Sequence, residues 1–265
     1  MRPRTGEPAL VDRSLYARLA ARLPLGIMGR DFYPLRSVDS TQTVARQLAA
    51  EGAGEGAVVV AEYQTRGRGR VGRSWLAEPG ANLLFSVLLR PQIPIPRVPQ
   101  LSLLAAVAAS EALAAQTGVP VRIRWPNDLL LAGKKVGGIL VEAASGARGP
   151  LHVIVGIGIN VNQTGFPEEI RERATSLALA VSHPLDRETL LEALLAALDR
   201  WYAIYLETGF APVRFAWCRN SATLGEWVVS GGGITGTAVD LDEEGALMVR
   251  APSGAVERVV AGEVA

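Results

Sequence analysis

A basic, glycine-rich loop constrains this chain more than any other stretch. Residues 64–75 are Gln-Thr-Arg-Gly-Arg-Gly-Arg-Val-Gly-Arg-Ser-Trp, in which three glycines alternate with four arginines and no carboxylate is present. The apolar run at residues 57–61 predicts a buried strand just before this basic loop. Glycine lets a backbone approach a ligand closely, and arginine offers a rigid fork of donors to carboxylate or phosphate. The sequence therefore predicts an anion site, and we expect the loop to be mobile when empty and to order on the anion.

The basic loop also contains Gly67-x-Gly69-x-x-Gly72, the spacing of a dinucleotide-binding fingerprint. That fingerprint requires a helix to begin within the glycines, so that its N-terminus faces the pyrophosphate. Here a turn at residues 75–82 and a second apolar strand follow instead. The order strand, basic loop, strand disfavours a nicotinamide-dependent oxidoreductase. A solvated connection or a nucleic-acid contact is the alternative to an anion site.

Composition restricts the classes of protein to which the chain can belong. With 49% hydrophobic and 20% charged residues over 265 positions, it is typical of a globular protein with a sizeable core. A net charge of +1 argues against a general nucleic-acid partner. The single cysteine, Cys218, excludes an internal disulfide and fits a reducing compartment. The chain opens without an apolar leader, and polar residues interrupt its most apolar stretch at 101–117, so we expect no membrane and a cytoplasmic location.

The order of the chain predicts two domains after a short extension. Residues 1–30 contain one short helical pattern, Ser14 to Leu23, which is too little for a winged helix-turn-helix. Strands and helices alternate from there to an amphipathic helix at Arg187 to about Glu207. After Asn220, short strands separated by turns predict a small β-barrel. We place the boundary near residues 215–222.

Two further stretches carry candidate site residues. Ser40 or Thr41 precedes an amphipathic run that ends near Ala50, so either could cap a helix, and both could bind a neutral polar ligand. In the strand predicted at 151–162, glycines alternate with β-branched residues, which indicates that something large packs on one face.

Six short motifs follow one another along the chain. They are Ser37-Val38-Asp39-Ser40-Thr41, Gln64 with Gly67 to Trp75, Arg124-Trp125-Pro126-Asn127-Asp128, Lys135-Val136-Gly137-Gly138-Ile139-Leu140-Val141-Glu142, Gly156-Ile157-Gly158-Ile159-Asn160 and Ala261-Gly262-Glu263-Val264. As an ordered set they resemble those of bacterial biotin protein ligases, which attach biotin to the carrier protein of biotin-dependent carboxylases. The resemblance runs from about residue 35 to the C-terminus.

The resemblance implies a fold and a reaction. The fold is an α/β (α+β) catalytic domain with a mixed β-sheet flanked by helices, at residues 31–218, followed by an SH3-like β-barrel at 219–265. The carboxylate of biotin attacks the α-phosphate of ATP, giving biotinyl-5′-adenylate and pyrophosphate, and a lysine of the biotin carboxyl carrier protein then displaces AMP. Mg²⁺ is expected with ATP, held largely by phosphate oxygens. Family members often form homodimers through the main sheet.

The resemblance also places the cations of the reaction. Arg68, Gly69 and Arg70 match the loop that encloses the ligand, and Arg70 is expected to bind the carboxylate or the α-phosphate. Arg73 is expected to bind the ATP phosphates. Lys135 matches the lysine beside the reacting carboxyl and phosphate; without the resemblance it would be one of two surface lysines in a hairpin. Both steps gather negative charge at one phosphorus, which such cations stabilise.

The biotin half of the site is assigned to four polar residues and two glycines. The residues expected to bind the ureido head or to line its pocket are Ser40, Thr41, Gln42 and Gln64. Gly137 and Gly138 are expected to let the sheet accept the flat bicyclic ring.

The nucleotide half is assigned to residues at strand ends. Asn127 and Asn160 match positions near the adenylate, with Asn160 beside the ribose, and Asp128 matches one near the metal or the incoming amine. Asn and Asp at strand ends also commonly tie turns, which is the alternative for them. Trp75 is expected either in the core or beside the adenine.

The sequence departs from the family pattern at three positions, and it lacks two other kinds of site. Arg124 replaces a lysine, Gln42 a shorter asparagine, and Arg66 a small residue. There is no Walker-type phosphate loop, and the two histidines, His152 and His183, are far apart, so no protein-held metal site is expected.

Two other functions share part of this pattern. Lipoate or octanoate ligases and transferases have the same catalytic fold, but the basic loop and the terminal barrel disfavour them. Some biotin ligases also carry an N-terminal DNA-reading domain and repress transcription. Residues 1–30 leave no room for such a domain, so we expect no operator binding.

Overall fold

A mixed β-sheet of seven strands organises the larger part of the chain. The computed structural model describes residues 11–146, 149–260, 262 and 264, so residues 1–10 of the predicted extension, and Ala261 and Glu263 of the last motif, lie outside it. The strands are β1 Phe32–Val38, β2 Val58–Gln64, β3 Leu83–Leu89, β4 Val121–Arg124, β5 Asp128–Leu131, β6 Lys134–Gly146 and β7 Gly149–Ile159. They lie in the order β1-β2-β3-β7-β6-β5-β4. β1 and β2 are parallel and the other neighbouring pairs are antiparallel, which confirms the predicted mixed sheet.

Helices cover both faces of this sheet. They are α1 Ala17–Ala20, α2 Thr41–Ala50, α3 Gln100–Thr117, α4 Glu168–Arg171, α5 Leu177–Val181, α6 Arg187–Thr208 and α7 Ala211–Asn220. Within β2, Val58 and Val60 belong to the cluster built with α3 and α6, whereas Val59 and Ala61 belong to the cluster built with α2. Successive strand residues point to opposite faces, so a strand that is covered on both sides is apolar throughout. This explains the unbroken apolar run before the basic loop.

α3 has the surroundings of a core helix. By length and composition the segment Ile95–Thr117 could cross a membrane, but 67% of its apolar window is buried inside the structure. Its polar side chains have protein partners: Ser110 Oγ donates to the carbonyl of Val121 at 2.6 Å, and Gln100 Oε1 accepts from Tyr205 at 2.7 Å. The expectation that no segment spans a membrane stays a prediction.

A second, antiparallel sheet forms the C-terminal part. Its strands are β8 Trp227–Val229, β9 Thr235–Leu241, β10 Leu247–Arg250 and β11 Val256–Val259, in the order β11-β10-β9-β8. This confirms the small all-β unit predicted after Asn220, where α7 ends. Trp125, at the end of β4, joins the two parts, because its Nε1 donates to the carbonyl of Gly245 at 3.2 Å. The division into domains at residue 219 stays a prediction.

Two elements differ from their predicted bounds. The helical pattern Ser14 to Leu23 yields only the short α1, because Tyr16 has a left-handed backbone with φ of 54° and interrupts the helix at its start. β7 ends at Ile159, before the predicted limit, because the carbonyl of Asn160 accepts from the backbone N–H of Leu177 at 3.0 Å instead of from a strand.

Candidate active site

The basic loop is a β-hairpin over residues 67–75. The carbonyl of Gly67 accepts from the N–H of Trp75 at 2.9 Å, and the N–H of Gly69 donates to the carbonyl of Arg73 at 2.7 Å. At the tip, Val71 is 81% exposed and has φ of 53°, a left-handed conformation that is costly for a β-branched residue. A Cβ built on Gly67 would lie 2.5 Å from the carbonyl oxygen of Trp75, so glycine is required for the two arms to approach.

A small cavity lies under this hairpin, between α2, β6 and β7, and we call it the inner cavity. Its volume is about 100 Å³. Its lining includes Ser40, Thr41, Gln42, Gln64, Arg68, Gly69, Arg70, Arg73, Trp75, Asn127, Asp128, Lys135, Gly138, Leu140, Gly156 and Gly158. Most of the predicted site residues are therefore brought together, although they come from distant parts of the chain.

One end of the inner cavity has buried polar atoms without partners among the described residues. They are Ser40 Oγ, Gln42 Oε1 and Trp75 Nε1. Leaving a buried donor or acceptor unpaired costs about 1–3 kcal/mol, so native proteins rarely do so. Three such atoms around one cavity indicate a ligand that offers both hydrogen-bond donors and acceptors.

Ser40 and Thr41 behave differently from the predicted helix cap. Ser40 occupies the N-cap position of α2, but its side chain makes no capping hydrogen bond and is 2% exposed. The first amide of α2 is instead bonded by Gln64 of β2, whose Oε1 accepts from Thr41 N at 2.7 Å and from Thr41 Oγ1 at 3.1 Å. Thr41 Oγ1 also lies 2.8 Å from Ser86 Oγ. Ser40 lines the inner cavity, and its Oγ has no partner among the described residues.

The glycines on β6 and β7 make room for protein side chains. A Cβ on Gly158 would lie 2.7 Å from Trp75 Cε2, one on Gly138 would lie 3.1 Å from Trp75 Cζ3, and one on Gly156 would lie 2.7 Å from Gln42 Nε2. The indole of Trp75 therefore rests directly on the backbone of the sheet. This confirms that a large group packs on one glycine-rich face.

The predicted role of Gly137 in the ligand pocket is wrong in this geometry. A Cβ on Gly137 would lie 2.7 Å from Ile159 Cδ1 and 3.1 Å from Leu129 Cδ1, on the opposite face of the sheet from the cavity. Neighbouring strand residues point to opposite faces, so Gly137 and Gly138 cannot both face one ligand.

The other end of the inner cavity is charged. Lys135 Nζ lies 2.6 Å from Asp128 Oδ1 and 5.7 Å from the centroid of the Trp75 ring. Arg70, at the hairpin tip, donates to Asn127 Oδ1 at 3.3 Å and to the carbonyl of Gly262 at 3.3 Å. Asn127 is itself held, because its Nδ2 donates to a backbone carbonyl of β6 at 2.8 Å. Lys135, Arg70 and the amide of Asn127 thus line the same end of the inner cavity.

Arg68 and Asn160 have partners that the sequence did not predict. Arg68 forms a two-pronged ion pair with Glu142, with N–O distances of 2.6 and 3.0 Å. Asn160 is 5% exposed and its Nδ2 donates to the carbonyl of Thr175 at 2.9 Å. This bond ties the turn after β7, and the expected place of Asn160 beside the ribose stays a prediction.

A larger open groove lies on the outer side of the hairpin. Its volume is about 790 Å³, and it shares Arg73 and Trp75 with the inner cavity. Phe166 and Pro167, from the segment after β7, form its far wall. The hairpin therefore separates two adjoining spaces, of which the outer has room for a group much larger than the inner can hold.

The residues that the structure describes contain no group of three or more His, Cys, Asp or Glu side chains that could hold a metal ion. Burial, with the charges of Arg90 and Arg46, lowers the pKa of His152, so this histidine is neutral at pH 7. His183 Nδ1 lies 3.0 Å from the neighbouring carbonyl oxygen of Pro184.

Sequence reasoning missed the roles of Ser86, Glu142 and Gly156. Ser86 had a visible signal, a hydroxyl in the middle of an otherwise apolar strand. Glu142 was part of a recognised motif, but its partner comes from 74 positions away, so no local pattern indicated the pair.

Comparisons with known proteins agree with this arrangement. The family model described as the biotin/lipoate A/B protein ligase family matches residues 35–160, and the one described as the biotin protein ligase C terminal domain matches residues 228–265. The biotin--[acetyl-CoA-carboxylase] ligase of Paracoccus denitrificans is 39% identical over 83% of this chain and 94% of its own. The bifunctional ligase/repressor BirA of Bacillus spizizenii is 37% identical over 90% and 74%. A structure of biotin protein ligase from Aquifex aeolicus in complex with biotin and ATP superposes with a TM-score of 0.78, at 35% identity over 89% and 98%.

The contact between Trp75 and the glycines of β6 and β7 gives a first prediction. Replacing Gly158 by alanine should displace the indole, shift tryptophan emission to the red and destabilise the protein by about 1–3 kcal/mol through overpacking. Gly231→Ala is the matched control, because nothing lies within 4 Å of a Cβ at that position. Fluorescence and thermal unfolding of both variants measure the effect. Emission from Gly158→Ala identical to that of the parent protein would contradict the proposed packing of Trp75.

Proposed function

The chain belongs to the biotin protein ligase family, and from this premise we propose that it is a biotin--[acetyl-CoA-carboxylase] ligase. It activates biotin with ATP as biotinyl-5′-adenylate and transfers the biotinyl group to a lysine of the biotin carboxyl carrier protein. The observation that carries the proposal is the inner cavity, which has unpaired polar atoms at one end and Lys135, Arg70 and Arg73 at the other. Biotin has the same polarity, with a neutral ureido head and an anionic tail.

The head of biotin fits the polar end of the inner cavity. A ureido group has two N–H donors and one carbonyl acceptor. Gln42 Oε1 can accept from one N–H, and Ser40 Oγ can donate or accept because a hydroxyl does both. Gln42 is oriented by its own Nε2, which donates to the carbonyl of Leu140 at 2.8 Å. Thr41 and Gln64 bond to each other and shape the wall, and the indole of Trp75 supplies an apolar face.

The carboxylate of biotin then points to Lys135 and Arg70. When it attacks the α-phosphate, the new P–O bond forms as the bond to pyrophosphate breaks, and negative charge accumulates on the phosphoryl oxygens. Lys135 offers a compact charge to an oxygen shared by both groups, and Arg70 and Arg73 offer planar forks to the phosphates. In the second step the acceptor amine attacks the acyl carbon and AMP leaves. Asp128, which lines the inner cavity, would take a proton from that amine.

Magnesium fits this site as a partner of ATP. Asp128 is the one carboxylate in the described lining of the inner cavity, so phosphate oxygens would supply most ligands and Asp128 would add to them. When bound, the ion offsets the charge of the phosphates. The adenosine part is assigned to the outer groove, beside Trp75 and Arg73, where about 790 Å³ is open. We assign Asn127 to the phosphate end and keep Asn160 as a candidate beside the adenylate ribose.

The proposal includes no nucleic-acid or membrane partner, and the net charge of +1 supports the first of these two expectations. A cytoplasmic location and a homodimer stay predictions. Lipoate or octanoate transfer is the competing activity, because the family model over residues 35–160 covers both kinds of ligase. The match of residues 228–265 to the biotin-specific C-terminal model favours biotin.

The direct test is to mix the protein with ATP, Mg²⁺, biotin and a biotin carboxyl carrier domain. We expect the carrier to gain the mass of one biotinyl group on one lysine, and no gain when ATP is omitted. An equal concentration of lipoate in the same mixture should not compete. A carrier that stays unmodified, or that gains a lipoyl group in preference, would refute the assignment.

Lys135→Ala should lower the rate of adenylate formation by at least about 100-fold, because a charge at the developing phosphoryl oxygens is lost. The partly exposed ion pair with Asp128 is worth about 1 kcal/mol or less, so thermal unfolding should change little. Lys134→Ala is the control, since that lysine lies 4.0 Å from Glu172 outside the cavity. Parent-like pyrophosphate release by Lys135→Ala would remove the lysine from the reaction.

Arg70→Gly should still form the adenylate but release it to solvent about tenfold faster or more, because the contacts to Asn127 and Gly262 close the tip of the hairpin. Leaked adenylate acylates unrelated lysines, so biotin on a bystander protein measures the effect. Arg36→Gly is the control, because this exposed arginine pairs with Asp12 and lines neither the inner cavity nor the outer groove. Absence of bystander labelling in Arg70→Gly would show that the tip does not retain the intermediate.

A further inference from the structure

Glu142 joins three elements at the rim of the inner cavity, and the chemistry described above makes no use of it. Its two carboxylate oxygens accept from Arg68 of the hairpin at 2.6 and 3.0 Å. The same carboxylate accepts from Arg46 of α2 at 2.9 Å. A charge-assisted, two-pronged pair of this kind is stronger and more directional than a single contact.

The position of Glu142 is fixed from two sides. On β6, Gly138, Leu140 and Glu142 alternate with residues of the other face, so all three point toward α2. On α2, Gln42 and Arg46 lie four residues apart and share one side of the helix. Gln42 bonds to the carbonyl of Leu140 and Arg46 bonds to Glu142, so two successive contacts on α2 meet two successive positions on the same face of β6.

The ion pair ties the guanidinium of Arg68 to the middle of β6. Glu142 lies four residues beyond Gly138, and the amine of Lys135 reaches back to 3.5 Å from where a Cβ on Gly138 would be. Arg68 also lines the inner cavity, so its assignment to ligand binding, made from the sequence, stays a prediction beside this ion pair.

We propose that Glu142 is a positioning residue, which holds the hairpin of residues 67–75 closed over the inner cavity through Arg68. Arg46 keeps the carboxylate in place, and Arg68 links the hairpin to it. Closure of the hairpin stands on the contacts alone. Its consequence, retention of the adenylate, rests on the proposed function.

The size of the inner cavity makes this closure relevant to ligand exchange. Pockets that enclose small ligands usually measure about 300–1,000 Å³, whereas the space under the hairpin measures about 100 Å³. The hairpin has to move outward to admit a ligand, and the bond between Arg68 and Glu142 is broken when it does. The pair thus sets part of the cost of opening.

Hydrogen exchange of the ligand-free protein tests closure. In Glu142→Gln, exchange at the amides of Gly69 and Trp75, which bond across the hairpin, should be about three- to tenfold faster than in the parent. Asp39→Asn is the matched control, because it neutralises the carboxylate that pairs with a different loop arginine, Arg66, and it should leave these amides unchanged.

A second variant guards against a general loss of structure. Arg68→Gln should accelerate the same amides to the same extent, and combining it with Glu142→Gln should add nothing, as expected for two halves of one interaction. Unchanged exchange in Glu142→Gln, or additive effects in the double variant, would overturn the proposal.

The functional consequence is measured as adenylate release. Glu142→Gln should release biotinyl-5′-adenylate about three- to tenfold faster, with less than a twofold change in the rate of pyrophosphate formation. Parent-like release would overturn the role in retention. If the parent protein formed no adenylate, the proposed function would be refuted, and the exchange measurement would still decide whether Glu142 closes the hairpin.

Discussion

The packing of Trp75 on bare backbone determines where everything else in the site lies. Gly138 and Gly158 are paired across β6 and β7, so two positions without side chains lie next to each other on one face of the sheet. The indole fills that space, with ring atoms about 3 Å from where either Cβ would be. Because Trp75 ends the hairpin of residues 67–75, this contact fixes one arm of the basic loop against the sheet. The other arm follows through the backbone bonds between the arms.

With the hairpin in place, the site acquires two ends of different chemistry. The α2 end keeps oxygens of Ser40 and Gln42 buried and unpaired, although each costs stability. The β5–β6 end gathers Lys135, Asp128 and Asn127. A polar but uncharged end and a charged end within one narrow space select for a ligand with the same asymmetry. Neither end alone would discriminate biotin from another carboxylic acid or from another cyclic urea.

Part of this architecture could be predicted from the sequence because it depends on local pattern. The apolar run of β2, the long helix that ends near Glu207, and the change to short strands after Asn220 follow from periodicity and turn residues, and the structure has all three. The ordered motifs indicated the family and most of the residues that line the inner cavity.

The rest depends on contacts between distant residues, which no local pattern encodes. Successive residues of β6 point to opposite faces of the sheet, so only one of Gly137 and Gly138 can face the cavity. The motif contains both glycines and does not indicate which one it is. Ser40 occupies the N-cap position of α2 without making a capping hydrogen bond, and the first amide of that helix, at Thr41, donates to Gln64 on β2. The basic loop was expected to be mobile until an anion bound to it, yet Arg68 already has a carboxylate partner in Glu142.

Both sheets contribute a partner to the arginine at the tip of the hairpin, which connects the small C-terminal sheet to the site. Arg70 at the hairpin tip donates to the carbonyl of Gly262, beyond the last strand of that sheet. The same sheet is held against the larger one by the bond from Trp125 to Gly245, and Trp125 lies two residues before Asn127, the other partner of Arg70. A displacement of the small sheet would therefore separate the two oxygens that Arg70 binds, because the carbonyl of Gly262 would move while Asn127 stays bonded to β6. Retention of a reactive intermediate then depends on how the two sheets are joined, as well as on the residues that touch it.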